Sequence, residues 1–354
     1  MTLLELQANG RRISRQVNVG GVAIGGDAPV AVQSMLTAPT TDTAACLEQA
    51  RPLVAAGCDI LRVAVPNEEA ARSLGALVKG LGTTPVVADI HFDHRLALIA
   101  LDQGVAKLRI NPGNIGSAEA VQRVAKAAAA AGVPVRVGVN SGSLPADLLA
   151  QSGGDRPTAM VASAVRQVEQ LYDAGLEQMV VSLKSSSVRE TVAANLRYAA
   201  KRDEPLHLGV TEAGTLCGGL VAGAAGIGAL LLQGIGDTLR FSLTAPLIEE
   251  VNAGVRILRE LGLRQGAKVV CCPTCARCRV DLAGMATRVE AAVATHPGPL
   301  TLAVMGCAVN GPGEARHADA GLAGGDGKFA LFVKGEIIGT YAPDEALEKL
   351  LACI

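Results

Sequence analysis

The feature that most constrains this chain is an alternation repeated eight times between residues 31 and 261. A short β-branched, apolar run is followed each time by a stretch rich in Ala, Leu and Glu with helical spacing. The strand candidates are AVQSM (31–35), ILRVAV (60–65), PVVADI (85–90), KLRINP (107–112), PVRVGV (134–139), QMVVSL (178–183), LHLGVT (206–211) and TLRFSL (238–243). Runs of this kind are buried on both faces, and strands joined through helices run parallel. Several helical stretches end in Gly just before the next strand, a C-cap signal. Eight such units over about 230 residues predict closure into a TIM-type (β/α)8 barrel. The rival is an open doubly wound sheet, but no Gly-rich fingerprint follows the first strand. The leading ISRQVNVGGVAIGG reads as a hairpin capping the lower end of the barrel.

After residue 262 the pattern changes. RQGAKVV leads into a new strand, followed by a cysteine-rich segment, a helix (281–294), the strand LTLAVMGC, a hairpin turning at Lys334-Gly335 and a short final helix. Residues 1–262 are thus expected to form the capped barrel, and 263–354 a small α+β domain. Hydrophobic residues make up 49% of the chain and the formal net charge is −1, so no basic footprint points to nucleic acid. The absence of Trp also leaves little on which to stack bases. Residues 215–236 carry no charge and nearly reach bilayer length, but their Gly and Ala content favours a buried helix over a membrane span. The opening MTLLELQANGRR lacks the order of a signal peptide, and clustered cysteines without one favour a metal site in a reducing cytosol.

Function in such a barrel concentrates at the C-terminal ends of the strands. Arg62, Arg109, Arg136 and Arg240 all lie within strands, in the near-repeats LRVAVP, LRINPGN, VRVGVN and LRFSL. Arginine is seldom buried unpaired. Either internal ion pairs with Asp89, Glu212 or Asp237 hold these residues, or they form a shared anion site, since guanidinium forks match phosphate oxygens. Lys184 adds a point charge just past the sixth strand. Gln33, Ser34, His91, Asn111, Asn140, Ser182, His207, Thr211, Glu212 and Ser242 also lie near strand ends. Together they describe a mouth for a small, oxygen-rich, multiply anionic ligand such as a diphosphate.

Five cysteines, Cys271, Cys272, Cys275, Cys278 and Cys307, lie in or just after one short segment. Thiolates in this number suit zinc or an iron–sulfur cluster. The ferredoxin run is incomplete, because Leu282 stands where its fourth cysteine would be. A second zinc knuckle is missing as well. The loop MGCAVNGPGEARHA brings Glu314 seven residues beyond Cys307, where a carboxylate is either solvated or a further ligand.

At these residues the chain closely resembles the 4-hydroxy-3-methylbut-2-enyl diphosphate synthases. The resemblance is carried by CCPTC and MGCAVNGPGEA, and by AVQSM, VADIHFDHR, LRINPGNIG, RVGVNSGSL, LHLGVTEAG and GIGDTLR in the same order. It implies a 4Fe-4S cluster held by Cys272, Cys275, Cys307 and Glu314, with cysteines at 271 and 278 not called for. The implied reaction is the two-electron ring-opening and dehydroxylation of 2-C-methyl-D-erythritol 2,4-cyclodiphosphate. Arg62, Arg109, Arg136 and Lys184 would hold the diphosphate. His91, Asn111, Asn140, His207, Glu212 and Ser242 are candidates for positioning or proton donation, although a Glu among arginines should be anionic and a weak acid. The resemblance also implies a reduced flavodoxin or ferredoxin as donor and a head-to-tail homodimer. Two rivals are a zinc-stapled barrel enzyme, which would carry no acid-labile sulfide, and a non-catalytic cluster carrier, indifferent to loss of Arg109.

Overall fold

The chain enters its first unit through a hairpin, β1 (Val17–Val19) and β2 (Val22–Ile24), paired antiparallel. Val17, Val19 and Ile24 pack against Ala31, Ile60, Val87 and Val180 near the starts of four barrel strands, so the hairpin plugs the N-terminal end. The structure is a computed structural model and describes residues 10–111, 115, 117–307 and 317–354. Two units divide the chain, Met1–Leu261 and Gly262–Ile354.

The eight apolar runs become β3 (Ala31–Met35), β4 (Ile60–Ala64), β5 (Val86–Asp89), β6 (Lys107–Ile110), β7 (Val135–Asn140), β8 (Met179–Lys184), β9 (His207–Leu208) and β10 (Thr238–Leu239). Their order is β8-β7-β6-β5-β4-β3-β10-β9, with parallel pairing, and a parallel bridge between Val181 and Leu206 closes the ring. The last two ladders are shorter than the apolar runs that predict them, although Arg240 N–H still reaches Leu208 O at 3.0 Å.

Around the ring lie α1 (Thr43–Ala55), α2 (Glu68–Leu81), α3 (His94–Asp102), α4 (Ala118–Ala131), α5 (Ala146–Gln151), α6 (Arg156–Asp173), α7 (Val188–Ala199), α8 (Leu216–Leu231) and α9 (Leu247–Glu260). Asp42, Asn67, Asp93, Ser117 and Ser187 each accept a backbone N–H of the first turn of the helix that follows. These caps satisfy donors that a helix start leaves open, and they fix where each strand hands over to its helix. The charge-free stretch after residue 215 forms α8, whose glycines allow close approach to the sheet. A Cβ at Gly223 would come within 2.6 Å of the Phe241 ring, and one at Gly226 within 2.6 Å of Val210. Among the described residues, no helix is long and apolar enough to cross a membrane.

The second unit holds a five-stranded sheet, β11 (Ala267–Cys271), β12 (Leu300–Met305), β13 (Ala320–Gly325), β14 (Lys328–Val333) and β15 (Glu336–Tyr341), in sequence order. The first three strands are parallel and the last three antiparallel. α10 (Leu282–Val293) and α11 (Pro343–Leu351) bury Leu282, Met285, Val289 and Leu350 against Leu302, Leu322 and Leu331. β13, reading AGLAGG, is not anticipated from the sequence, because three glycines mask its strand character. Gly321 is required there: a Cβ would meet Ala303 O at 2.3 Å and the Phe332 ring at 2.4 Å. The hairpin turn at Lys334-Gly335 has φ values of 50° and 85°, the left-handed pair that a two-residue turn demands.

The helix–sheet contact is testable. Gly223→Ala should cost roughly 1–3 kcal/mol through overpacking against Phe241. Gly218→Ala, which faces open space on the same helix, should instead gain about 0.5–1 kcal/mol. Denaturant midpoints at unchanged m-value would read both.

Candidate active site

The strand registers stack inward-facing side chains in fours from alternate strands. Arg62, Arg109, Ser182 and Arg240 form one such layer. Beneath it come Gln33, Val87, Arg136 and His207, and lower still Ile60, Lys107, Val180 and Thr238. Above it lie Met35, Asp89, Gly138 and Gly209, and then Ala64, Asn111, Lys184 and Ser242 toward the mouth. The two glycines leave room that cationic heads fill. A Cβ at Gly138 would come within 3.2 Å of Arg109 Nε, and one at Gly209 within 2.7 Å of Lys184 Nζ.

Six basic side chains, Arg62, Lys107, Arg109, Arg136, Lys184 and Arg240, share this interior with the buried carboxylates Asp89 and Glu250. Asp89 lies 3.1 Å from Arg109 Nη1, 3.7 Å from Arg62 Nε and 3.3 Å from His91 Nε2. Burial alone would raise its carboxyl, but the His91 hydrogen bond and the charges of Arg62, Arg109 and Arg136 outweigh that and hold it far below the usual carboxylate range. Arg240 makes a two-pronged bond to Glu250 of α9, at 3.1 Å from Nε and 3.0 Å from Nη2. Asp237 pairs instead with Arg11, 2.9 Å away. Ion pairing therefore accounts for Arg62, Arg109 and Arg240 but leaves the interior strongly cationic.

Arg136 is the sharpest case. It is 2% exposed, and its Nε and Nη1 have no hydrogen-bond partner among the described residues. Burial and the neighbouring charges of Arg62 and Arg109 press its guanidinium well below its ordinary pKa. Lys184 is pushed down likewise, by burial and then by Arg136, Arg62, Arg240 and Arg109. Burial also brings Arg62 down to about 10, against the opposing pull of Asp89. Donors without acceptors, gathered under positive potential, are what an incoming phosphate oxygen satisfies.

The other residues expected at the mouth take varied positions. His91 is half exposed at the rim, and Arg109 Nη1 lies 3.5 Å from both of its ring nitrogens. Asn111 and Asn140 are half-buried above the arginine layer, toward the mouth, Asn140 in register with Lys184. Ser242 accepts from Arg240 Nη1 at 3.3 Å. Glu212 is exposed in the loop after β9 with a left-handed φ of 52°. His207 departs from the expectation of a mouth residue. It is fully buried below the arginine layer, where burial and the charges of Lys184, Arg136 and Lys107 keep it neutral. Its Nδ1 lies 3.4 Å from Thr238 Oγ1. Lys107 and Glu250 are the functional neighbours that the sequence reading misses.

In the second unit, Cys272 Sγ accepts the Gly306 N–H at 3.2 Å, and Cys307 is the next residue. Cys275 is exposed in a turn closed by Cys278 N–H to Cys275 O at 2.9 Å. Glu314 and the Gly-Pro-Gly loop before it lie outside the described residues. Among the described residues, no three His, Cys, Asp or Glu side chains are gathered as for a single metal ion. The donor chemistry nonetheless fits an iron–sulfur cluster: soft thiolates, one of them already taking a backbone N–H as cluster-bound sulfurs do.

Comparison with known proteins agrees with both units. Residues 14–255 match the GcpE TIM-barrel domain and residues 268–354 the GcpE protein C-terminal domain. Three similar curated proteins are each named 4-hydroxy-3-methylbut-2-en-1-yl diphosphate synthase (flavodoxin). That of Geobacter sulfurreducens is 50% identical over 96% of this chain and 96% of its own. That of Desulfotalea psychrophila is 49% identical over 97% and 95%. That of Nitratidesulfovibrio vulgaris is 51% identical over 93% and 86%. Among solved structures, a type I 3-dehydroquinate dehydratase from Clostridium difficile superimposes with a TM-score of 0.51 at 15% identity, over 70% of this chain and 98% of that one. A dihydropteroate synthase from Xanthomonas albilineans gives 0.50 at 16% identity, over 70% and 99%. These two likenesses concern the barrel fold alone. With both of its units matched and half of its residues shared with those relatives, the chain belongs to the GcpE family.

Proposed function

We propose that this chain reduces 2-C-methyl-D-erythritol 2,4-cyclodiphosphate to 4-hydroxy-3-methylbut-2-enyl diphosphate, an oxidoreductase step of isoprenoid synthesis. The observation that carries the reading is the cationic barrel interior with its unsatisfied Arg136 donors, in a chain of this family. The reaction opens the ring at a C–O bond, expels the C3 hydroxyl as water, and consumes two electrons with two protons when both phosphates are counted as acids. A 4Fe-4S cluster, held by Cys272, Cys275, Cys307 and Glu314, would supply the electrons one at a time. A reduced flavodoxin, as in the relatives' names, is the donor favoured over a ferredoxin.

The chain's own residues act on the diphosphate. Arg62, Arg109, Arg136 and Lys184 bind its oxygens, and their fixed positive charge favours the anion released when the ring C–O bond breaks. Asp89 positions Arg62 and Arg109 from the layer above them. Glu250 ties Arg240 to α9, so Arg240 orients Ser242 more than it adds free charge. His91, Asn111, Asn140 and Glu212 remain the positioning and proton-donor candidates, and buried, neutral His207 supports the layer above it. We extend the reading to a head-to-tail homodimer, with one copy's cluster unit serving the other's barrel. Mixing an Arg109→Ala chain with a Cys272→Ala chain should then restore part of the lost turnover.

The deciding experiment is an anaerobic assay of the cyclodiphosphate with a chemical reductant, paired with iron and acid-labile sulfide analysis. Turnover with bound iron and sulfide is expected, whereas colourless, zinc-containing protein without turnover would overturn the reading. Arg109→Ala should cost roughly a hundredfold or more in turnover with iron content unchanged. Lys184→Ala, which removes a point charge from the site, should weaken inhibition by inorganic diphosphate about tenfold.

A further inference from the structure

Lys184 stands at the mouth against repulsion. The charges that weigh most on its buried ammonium are those of Arg136, Arg62, Arg240 and Arg109, all of its own sign. Its place is set by the strand that carries it, and that strand end is fastened on both sides of Lys184 to α7. Asn195 Nδ2 donates to Leu183 O at 2.9 Å. Thr191 Oγ1 donates to Ser185 O at 3.1 Å and accepts the Ser185 N–H at 3.0 Å. Asn195 and Thr191 are both fully buried. Successive side chains of a strand point to opposite faces, so a clamp on both neighbours fixes the direction in which Lys184 projects.

Ser185 carries a further attachment that a helix start does not require. Residues 187–190 read Ser-Val-Arg-Glu, the spacing of a capping box, in which the glutamate ordinarily accepts the N–H of the cap residue. Ser187 does cap α7, accepting the Glu190 N–H at 3.3 Å. Its own N–H, however, goes to Ser185 Oγ at 3.1 Å, and the Glu190 carboxylate takes the Ser185 hydroxyl instead, at 2.6 Å. Ser141 Oγ, just past β7, donates to the same Ser185 Oγ at 3.0 Å. The Ser185 hydroxyl thus spends its one donor and both lone pairs. Ser141 follows Asn140, the register partner of Lys184. A half-buried carboxylate therefore anchors a chain of hydroxyls across the ends of β7 and β8, next to two residues expected at the diphosphate.

We propose that Glu190 is a positioning residue for the diphosphate site: acting through Ser185, it fixes where the Lys184 ammonium stands. The proposal rests on the reductase reading and adds to it a residue on the helix side of β8. No bond is made or broken along this chain. Its effect is geometric, holding a cation in place before the anion arrives.

The test measures binding of inorganic diphosphate to the full, cluster-loaded chain by calorimetry, alongside turnover of the cyclodiphosphate. Glu190→Ala should weaken diphosphate binding about tenfold, since a displaced ammonium loses most of a charge-assisted contact. Glu190→Gln, whose amide oxygen still accepts from Ser185, should recover most of that loss. In a Lys184→Ala background, Glu190→Ala should add almost nothing, because the residue through which it acts is gone. Iron content should match the parent chain in every variant. Parent-like affinity in Glu190→Ala, or an undiminished further loss in the Lys184→Ala background, would overturn the proposal. If Glu190→Ala does not fold, Ser185→Ala breaks the same link and carries the same expectation and the same grounds for rejection. A parent chain that binds diphosphate without turning over the cyclodiphosphate would remove the reductase reading, and the binding comparison among variants would still decide the role of Glu190.

Discussion

The structure depends on an imbalance of charge inside the barrel. Removing an ion from water costs several kcal/mol even after relaxation, and here basic groups outnumber the carboxylates that could compensate them. Asp89 and Glu250 hold the arrangement at a tolerable level, one from the layer above Arg62 and Arg109 and the other reaching in from a surrounding helix. The remaining cost falls on the closed ring of apolar strands and the helices packed around it. Such an interior is preorganised: its donors do not reorient when an anion arrives, so binding relieves repulsion that folding has already overcome.

Much of this was legible in the sequence, because two periods organise it. The alternation of apolar runs and helical stretches specifies the barrel, and the near-repeats around Arg62, Arg109, Arg136 and Arg240 locate its charge. Period-two spacing also places Lys107 on the face of Arg109 and Asn111, but a lysine opening a strand reads as a solvent-facing residue. Glu250 lies in the helical stripe of Val251, Gly254, Val255 and Leu258, where an acid on an apolar face signals a buried partner. The depth of Arg136 and His207 was not readable. It depends on the stagger between neighbouring strands, which arises only when the ring closes.

Contacts between distant segments set the second limit. The spacing of Cys272, Cys275 and Cys278 invites all three to be read as equivalent, yet Gly306 meets Cys272 and Cys278 in different ways. Its N–H engages Cys272 and its bare Cα accommodates Cys278. A glycine in MGC reads locally as a turn, whereas its packing value appears only across the sheet. The same holds for Gly138 and Gly209, which look like weak points in strands and are the spaces that the cationic heads occupy.

The hairpin at the N-terminal end has a consequence for traffic. With Val17, Val19 and Ile24 covering that end, the layered interior of the described barrel meets solvent at the mouth. Water, counter-ions and reactant must exchange through the same aperture, so an arriving anion and the ions it displaces compete for one passage. The field of the buried cations is likewise directed outward through that aperture, because low-dielectric walls focus it there. A short antiparallel ribbon far from the chemistry thereby gives the barrel a single direction of approach.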